Sequence, residues 1–269
     1  IEDTRTDVSV TTRYFYDRGN LGFNYARSDE NDYESDAIAL DAAFNSEDKL
    51  TTYSVAISGS KDEIEPTQGN VPTNTLKDEK DIRSAWMGVS RIVSKRAIVR
   101  FGLSYTFRDG FLTDPYKLND KRPDERKEWA ASAGYRHFFV GANAALHADY
   151  RFFDDDWGVR SHTIDIAWHQ NINQHLRLVP FMRYYSQTEA DFFGNFVDFS
   201  NDYYADDYRL SSFGAFSGGL RGVLNLDDWQ FNLSGERYVS KADWGLSNGD
   251  EAPGLVKFWR YSIGLNYSF

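Results

Sequence analysis

The chain has 269 residues, 41 acidic side chains against 30 basic ones, a formal net charge of −11 and no cysteine. This excludes a disulfide framework, cysteine-ligated zinc or iron–sulfur sites and a cysteine nucleophile, and it argues against nucleic acid as a partner. Mean hydropathy is −0.60 and no apolar run approaches the roughly 18–20 residues of a membrane helix, yet aromatic residues reach 16%; strands that alternate apolar and polar residues produce both results at once.

A period of two runs through nearly the whole chain. It predicts twelve strands, at about 6–16, 35–46, 50–60, 81–93, 97–108, 128–139, 142–153, 158–170, 174–187, 208–224, 228–239 and 256–269. In the fifth, Val99, Phe101, Leu103, Tyr105 and Phe107 oppose Arg100, Gly102, Ser104, Thr106 and Arg108. In the last, Leu255 to Phe269 alternate between a greasy and a mostly polar face. Pro180 lies inside the ninth strand, where it removes a ladder hydrogen bond, so a bulge or break is expected there.

Connections sort by parity. Those after even-numbered strands are short, and those after odd-numbered strands are mostly long, at about 17–34, 61–80, 109–127, 188–207 and 240–255. A soluble sandwich has no reason for this sorting, and no repeat of propeller length is visible. An outer-membrane barrel has short periplasmic turns and long external loops. Tyr14, Tyr16, Trp129, Trp168, Tyr184, Tyr185, Trp229 and Trp259 fall near strand ends, where interfacial girdles sit. The expected fold is therefore all-β: one domain over 1–269, a twelve-stranded antiparallel transmembrane β-barrel of the bacterial outer membrane, both termini periplasmic by the even count. The chain begins at Ile1 with no signal segment in view, as a processed exported chain would and as a trimmed one would.

With the greasy faces toward lipid, the opposite faces line the lumen. They carry Arg100, Arg108, Glu128, Arg136, His147, Asp149, Arg151, Asp165, His169, Arg177, Arg183 and Tyr185. A tight connection near Asp155 places His147 close to Asp165, Asp149 close to Thr163, and His169 near Arg177 on the next strand. A histidine among carboxylates can hold a metal or move a proton, but among arginines such a pair reads as a satisfied ion network. His162 falls on the lipid side and His137 near the periplasmic rim. No Ser–His–Asp or Ser–His–Asn set is brought together, so no enzyme activity, no cofactor and no metal are expected. Residues 188–207 combine Glu189, Asp191, Asp198, Asp202, Asp206 and Asp207 with six aromatics and no basic residue. Such a loop folds inward, bridges lipopolysaccharide through divalent cations, holds a partner, or is simply solvated. The mixed charges of 109–127 suit a cap knit by salt bridges.

The run Trp259, Tyr261, Ile263, Leu265, Tyr267 and Phe269 resembles the C-terminal signal read by the barrel assembly machinery. Phe111-Leu-Thr-Asp-Pro-Tyr116, Arg122-Pro-Asp-Glu-Arg126, His147-Ala-Asp-Tyr-Arg151 through Asp156-Trp157-Gly158, and Arg183-Tyr-Tyr-Ser-Gln187 through Ala190-Asp-Phe-Phe193 resemble a family of Gram-negative outer-membrane proteins defined as a domain of unknown function. Ile57-Ser-Gly-Ser60 departs from that family's fuller small-residue motif. The resemblance implies a genomic neighbourhood with a small lipoprotein, a thioredoxin-like protein and a flavin transferase, hence an envelope redox pathway. The expected partners are outer-membrane lipid and lipopolysaccharide, the assembly machinery, and a small lipoprotein or periplasmic redox partner. The leading expectation is a narrow charge-lined pore or conduit for a small solute or ion. The alternative is a scaffold barrel that docks the lipoprotein or redox partner, with an enzyme third.

Overall fold

A computed structural model describes residues 4–66, 77–247 and 249–268. The strands are β1 Thr6–Tyr16, β2 Gly19–Asp29, β3 Tyr33–Asn45, β4 Thr51–Ile64, β5 Asp78–Ser94, β6 Ala97–Gly110, β7 Asp120–Lys121, β8 Glu125–Phe139, β9 Ala144–Asp155, β10 Arg160–Asn171, β11 Leu176–Gln187, β12 Tyr204–Ala205, β13 Phe213–Leu226, β14 Trp229–Lys241 and β15 Lys257–Tyr267. Thirteen of them form one antiparallel sheet in sequence order, and the two-residue β7 and β12 pair separately.

The predicted strands all recur, with shifted ends, and one is added. The expected loop 17–34 holds β2, whose Leu21, Phe23 and Tyr25 point opposite to Asn20, Gly22 and Asn24. The count is thus thirteen rather than twelve. The added strand also removes the basis for placing both termini on one side. β1 starts at the end of the sheet that bears the long loops, and β15 finishes at the other end. The sheet's two edges, β1 and β15, therefore run in the same direction.

The sorting of connections survives the correction. One end carries 17–18, 46–50, 95–96, 140–143, 172–175 and 227–228. Three of these turns use a left-handed residue, Lys49, Asn143 and Asp227, which tight reversals demand. The other end carries 65–77, 111–124, 188–212 and 242–256, with 30–32 and 156–159 as its brief members. Pro180 breaks the ladder as expected. The β10–β11 register holds Ala167↔Phe181 and Gln170↔Leu178 but drops the two pairs between, while the β13 side stays continuous through Pro180↔Leu220.

The wall has no conventional core. Large apolar side chains on its outward face are exposed along strand after strand: Val8, Val10, Leu21, Phe23, Ile38, Leu40, Val55, Ile57, Met87, Phe101, Leu103, Ile164, Ile166, Leu220, Leu233, Ile263 and Leu265. This inverts the distribution of a soluble protein and matches a wall whose outer face meets hydrocarbon. Among the described residues no helix is long and apolar enough to cross a membrane. Among the described residues, the buried apolar cluster lies among the long loops: Trp157, Val159, Ala190, Ala205 and Leu210, with Leu112, Phe153, Phe192 and Phe193 packed against it.

Candidate functional site: a charged inner wall under a loop cap

Register fixes which side chains share a face, because directly paired residues point the same way. Arg100 pairs with Gly134, Gly134 with Asp149, Asp149 with Asp165, and Asp165 with Arg183. One row of the inner wall thus runs from β6 to β11. Asp149 accepts from Arg136 at 2.6 Å and lies 3.5 Å from Arg100. Arg183 grips Asp165 in a two-pronged contact of 2.6 and 3.0 Å. Arg108 donates to Glu128 at 3.2 Å, and Arg126 is 3.3 Å from the same carboxylate. Around this row, Trp86, Arg100, Ser132, Asp149, Arg151, Asp165 and Arg183 border a cavity of about 560 Å³.

The predicted inward residues Arg100, Arg108, Arg136, His147, Asp149, Arg151, Asp165, His169, Arg177, Arg183 and Tyr185 all fall on this inner face. Two details are corrected. His147 pairs with Ala167, and Asp165 pairs with Asp149, so the expected His147–Asp165 and Asp149–Thr163 neighbours are each displaced by two residues. The β9–β10 connection centres on Trp157, where Asp155 accepts the backbone N–H groups of Trp157 and Val159, and not near Asp155 itself. His147 instead packs against His169, ring centroids 4.0 Å apart and planes tilted by 40°. Tyr185 is not a girdle residue: it points inward and donates to Gln187 at 2.6 Å. His162 does face outward, hydrogen-bonded to Tyr150 at 2.7 Å. Among the described residues no group of three or more acids and histidines is arranged to hold a metal.

The inward residues not foreseen in the sequence include Trp86, Lys80 and Arg221. Trp86 pairs with Ser104 and so shares the face of Arg100 and Arg108. Lys80 lies 3.2 Å from the buried Asp62, which also accepts from Tyr33 and Ser35. Arg221 pairs with Val179 on the inner face of β13. The alternation that would have revealed Arg221 is blurred by Gly218, Gly219 and Gly222. On β15, Trp259, Tyr261, Ile263, Leu265 and Tyr267 share the outward face as expected, while Phe269 lies outside the described residues.

Above the wall, loops rooted far apart meet. Lys121 and Asp120 of the 111–124 connection pair with Tyr204 and Ala205 of the 188–212 connection. Those connections leave β6 and β11, between which β8, β9 and β10 intervene, so they join over the ends of three strands. Asp207 is the hub. Its side chain is 1% exposed and takes Arg122 at 2.9 Å, Lys117 at 3.1 Å and Arg209 at 2.5 Å. Burial alone would raise its carboxyl, but the donors of Arg209 and Lys117 overcome that and hold it well below the usual carboxylate range. Trp157 anchors the apolar side, under the Arg126 guanidinium at 4.4 Å and donating to the Glu125 carbonyl at 2.8 Å. Gly158 follows at φ 87°, and a Cβ there would run into the Asp191 carboxylate. The mixed charges of 109–127 thus do form a cap. The aromatics of 188–207 divide: Phe192 and Phe193 pack inward, while Phe196 and Phe199 stay exposed. Between cap and wall, Tyr33, Lys80, Arg108, Arg122, Arg126 and Trp157 help line a second cavity of about 360 Å³.

This fold is shared with solved outer-membrane proteins. The chain is similar to the siderophore receptor PirA from Acinetobacter baumannii (TM-score 0.68, 10% identity, 99% of this chain and 51% of that one). The Pseudomonas aeruginosa PirA gives 0.66, 9% identity, 98% and 50%. CdiB from Acinetobacter baumannii gives 0.53, 14% identity, 98% and 54%. The chain spans about half the length of these structures, and at such identities the likeness shows the fold alone. No curated protein matches the chain. The family model described as "Protein of unknown function (DUF3570)" matches residues 1–261, and the chain belongs to that family.

Proposed function

We propose that the protein is an outer-membrane conduit for small solutes or ions. Its charged inner wall is the path and its loop cap the external restriction. The observation that carries this is the segregation of side chains: along the middle of the wall apolar residues point outward and guanidinium–carboxylate pairs inward, while outward pairs such as Arg27–Asp36 are kept toward the long-loop end. Charges placed in hydrocarbon are costly, and an inner charged face is tolerated because it meets water or other charges. The short turns then lie in the periplasm and the knit loops outside, as in bacterial barrels. No catalytic role is part of this reading. Purified protein in a planar bilayer is the test. Steady unitary conductance that changes when Arg183→Ala frees Asp165 supports the conduit. A folded but electrically silent protein overturns it and favours the scaffold that docks a partner.

A further inference from the structure

The inner face is not charge-neutral along its length. Toward the short turns, Arg136 of β8, His147 of β9, His169 of β10, Arg177 of β11 and Arg221 of β13 come together on five consecutive strands of the wall. Of the acids nearby, Asp149 is already shared between Arg100 and Arg136, Asp165 is gripped by Arg183, and Glu236 of β14, opposite Gly219, is held by Arg260. Arg177 and Arg221 have no carboxylate within ion-pair distance among the described residues. Arg177 donates to the Asn171 side chain at 3.0 Å, and Arg221 lies over the Phe181 ring at 5.7 Å. Both are exposed on the inner face. A chain with net charge −11 thus keeps these two guanidinium groups unneutralised inside its wall, as it does Arg151 further toward the long loops, which lies over the Phe153 ring at 5.3 Å.

The cost of leaving them so is met if the lumen supplies the counter-charge. Guanidinium groups bind planar or tetrahedral oxyanions through paired N–H donors, and rings of arginine select anions in pores. The two histidines beside them add N–H donors without adding a carboxylate competitor. We propose that Arg177 and Arg221, with Arg136 behind them, form an anion-selective constriction that takes small oxyanions of the phosphate or carboxylate class. This rests on the conduit reading for its path, but the site itself does not need an open path.

The test therefore has two readouts on the whole chain, with inorganic phosphate as the probe. In a planar bilayer under a KCl gradient, the reversal potential should have the sign of chloride permeation. Millimolar phosphate should reduce the chloride current. The double variant R177Q and R221Q should lose the block and reduce the anion-to-cation permeability ratio by about threefold or more. In detergent, phosphate titrated into the folded protein should bind, and the double variant should bind at least about tenfold more weakly, as loss of charge-assisted hydrogen bonds implies. An open but cation-preferring channel, or a variant with unchanged selectivity and phosphate binding, overturns the anion site and leaves the conduit standing. A silent protein that still binds phosphate through these arginines supports the site and overturns the conduit. A silent protein that binds none overturns both.

Discussion

Asp207→Ala removes the carboxylate on which two loops converge. Arg122 keeps Asp120, at 2.8 and 2.7 Å, and Arg209 keeps Asp114 at 3.2 Å, whereas Lys117 loses its ion pair. Removing one partner of a buried pair costs roughly 3–5 kcal/mol when the other charge is stranded. Here the stranded charges retain second partners or reach solvent, so about 2–3 kcal/mol of cap stability is lost, which is a 30- to 150-fold increase in opening. The assay is hydrogen exchange. The amides of Ala190, Gly194, Ala205 and Leu210 are all held by loop carbonyls and report opening of the cap. They should exchange faster by that factor, while wall amides such as that of Ile164 should not change. The pH dependence has a defined sign. A carboxyl held low in the closed cap stabilises it fully above the open-state value of about 4 and loses that contribution only as pH falls further. The gap between wild type and variant should therefore be flat from pH 8 to pH 5. Unchanged exchange in the variant, or a gap that closes within that range, refutes Asp207 as the hub.

Three other outcomes follow from the same structure. Trp157→Ala deletes the 4%-exposed centre of the loop cluster and should cost about 3–5 kcal/mol of cap stability, seen as faster proteolysis within 111–124 and 188–212 with the wall intact. Asp149→Asn leaves Arg100 and Arg136 without their shared carboxylate and should shift the reversal potential further toward anions; a shift toward cations contradicts the lumen assignment. The unpaired groups of β1 and β15 cannot face hydrocarbon, so a conduit requires these edges to meet at about one strand spacing of 4.8 Å. A cross-linker spanning about 10 Å should then bridge V10C to I263C in the otherwise cysteine-free chain, and absence of any bridge would mean an open sheet.

The alternation was legible wherever large apolar residues hold one face, as in Val99 to Phe107 or Trp259 to Tyr267. It failed at β2, where Asp17, Gly19, Asn20, Asn24 and Asp29 read as loop although Leu21, Phe23 and Tyr25 kept the period. That one omission also moved a terminus to the other end of the sheet. Which residues share a face was legible because facing depends only on parity. Neighbours across β9 and β10 were displaced because register depends on the connection, and Asp155 caps a turn centred on Trp157. The Asp207 hub had no signal of its own: its partners Lys117 and Arg122 are about 90 residues away in sequence, and only the fold brings them together.

The conduit requires a water-filled lumen behind a lipid-facing apolar wall. Single cysteines along β9 test it directly in a chain that has none of its own. In native membranes, a membrane-impermeant thiol reagent should label H147C, D149C and R151C and spare L146C, A148C and Y150C, a period of two set by the pleat. Labelling with the opposite parity, or without any alternation, contradicts the assignment of inside and outside on which the conduit and its anion site both stand.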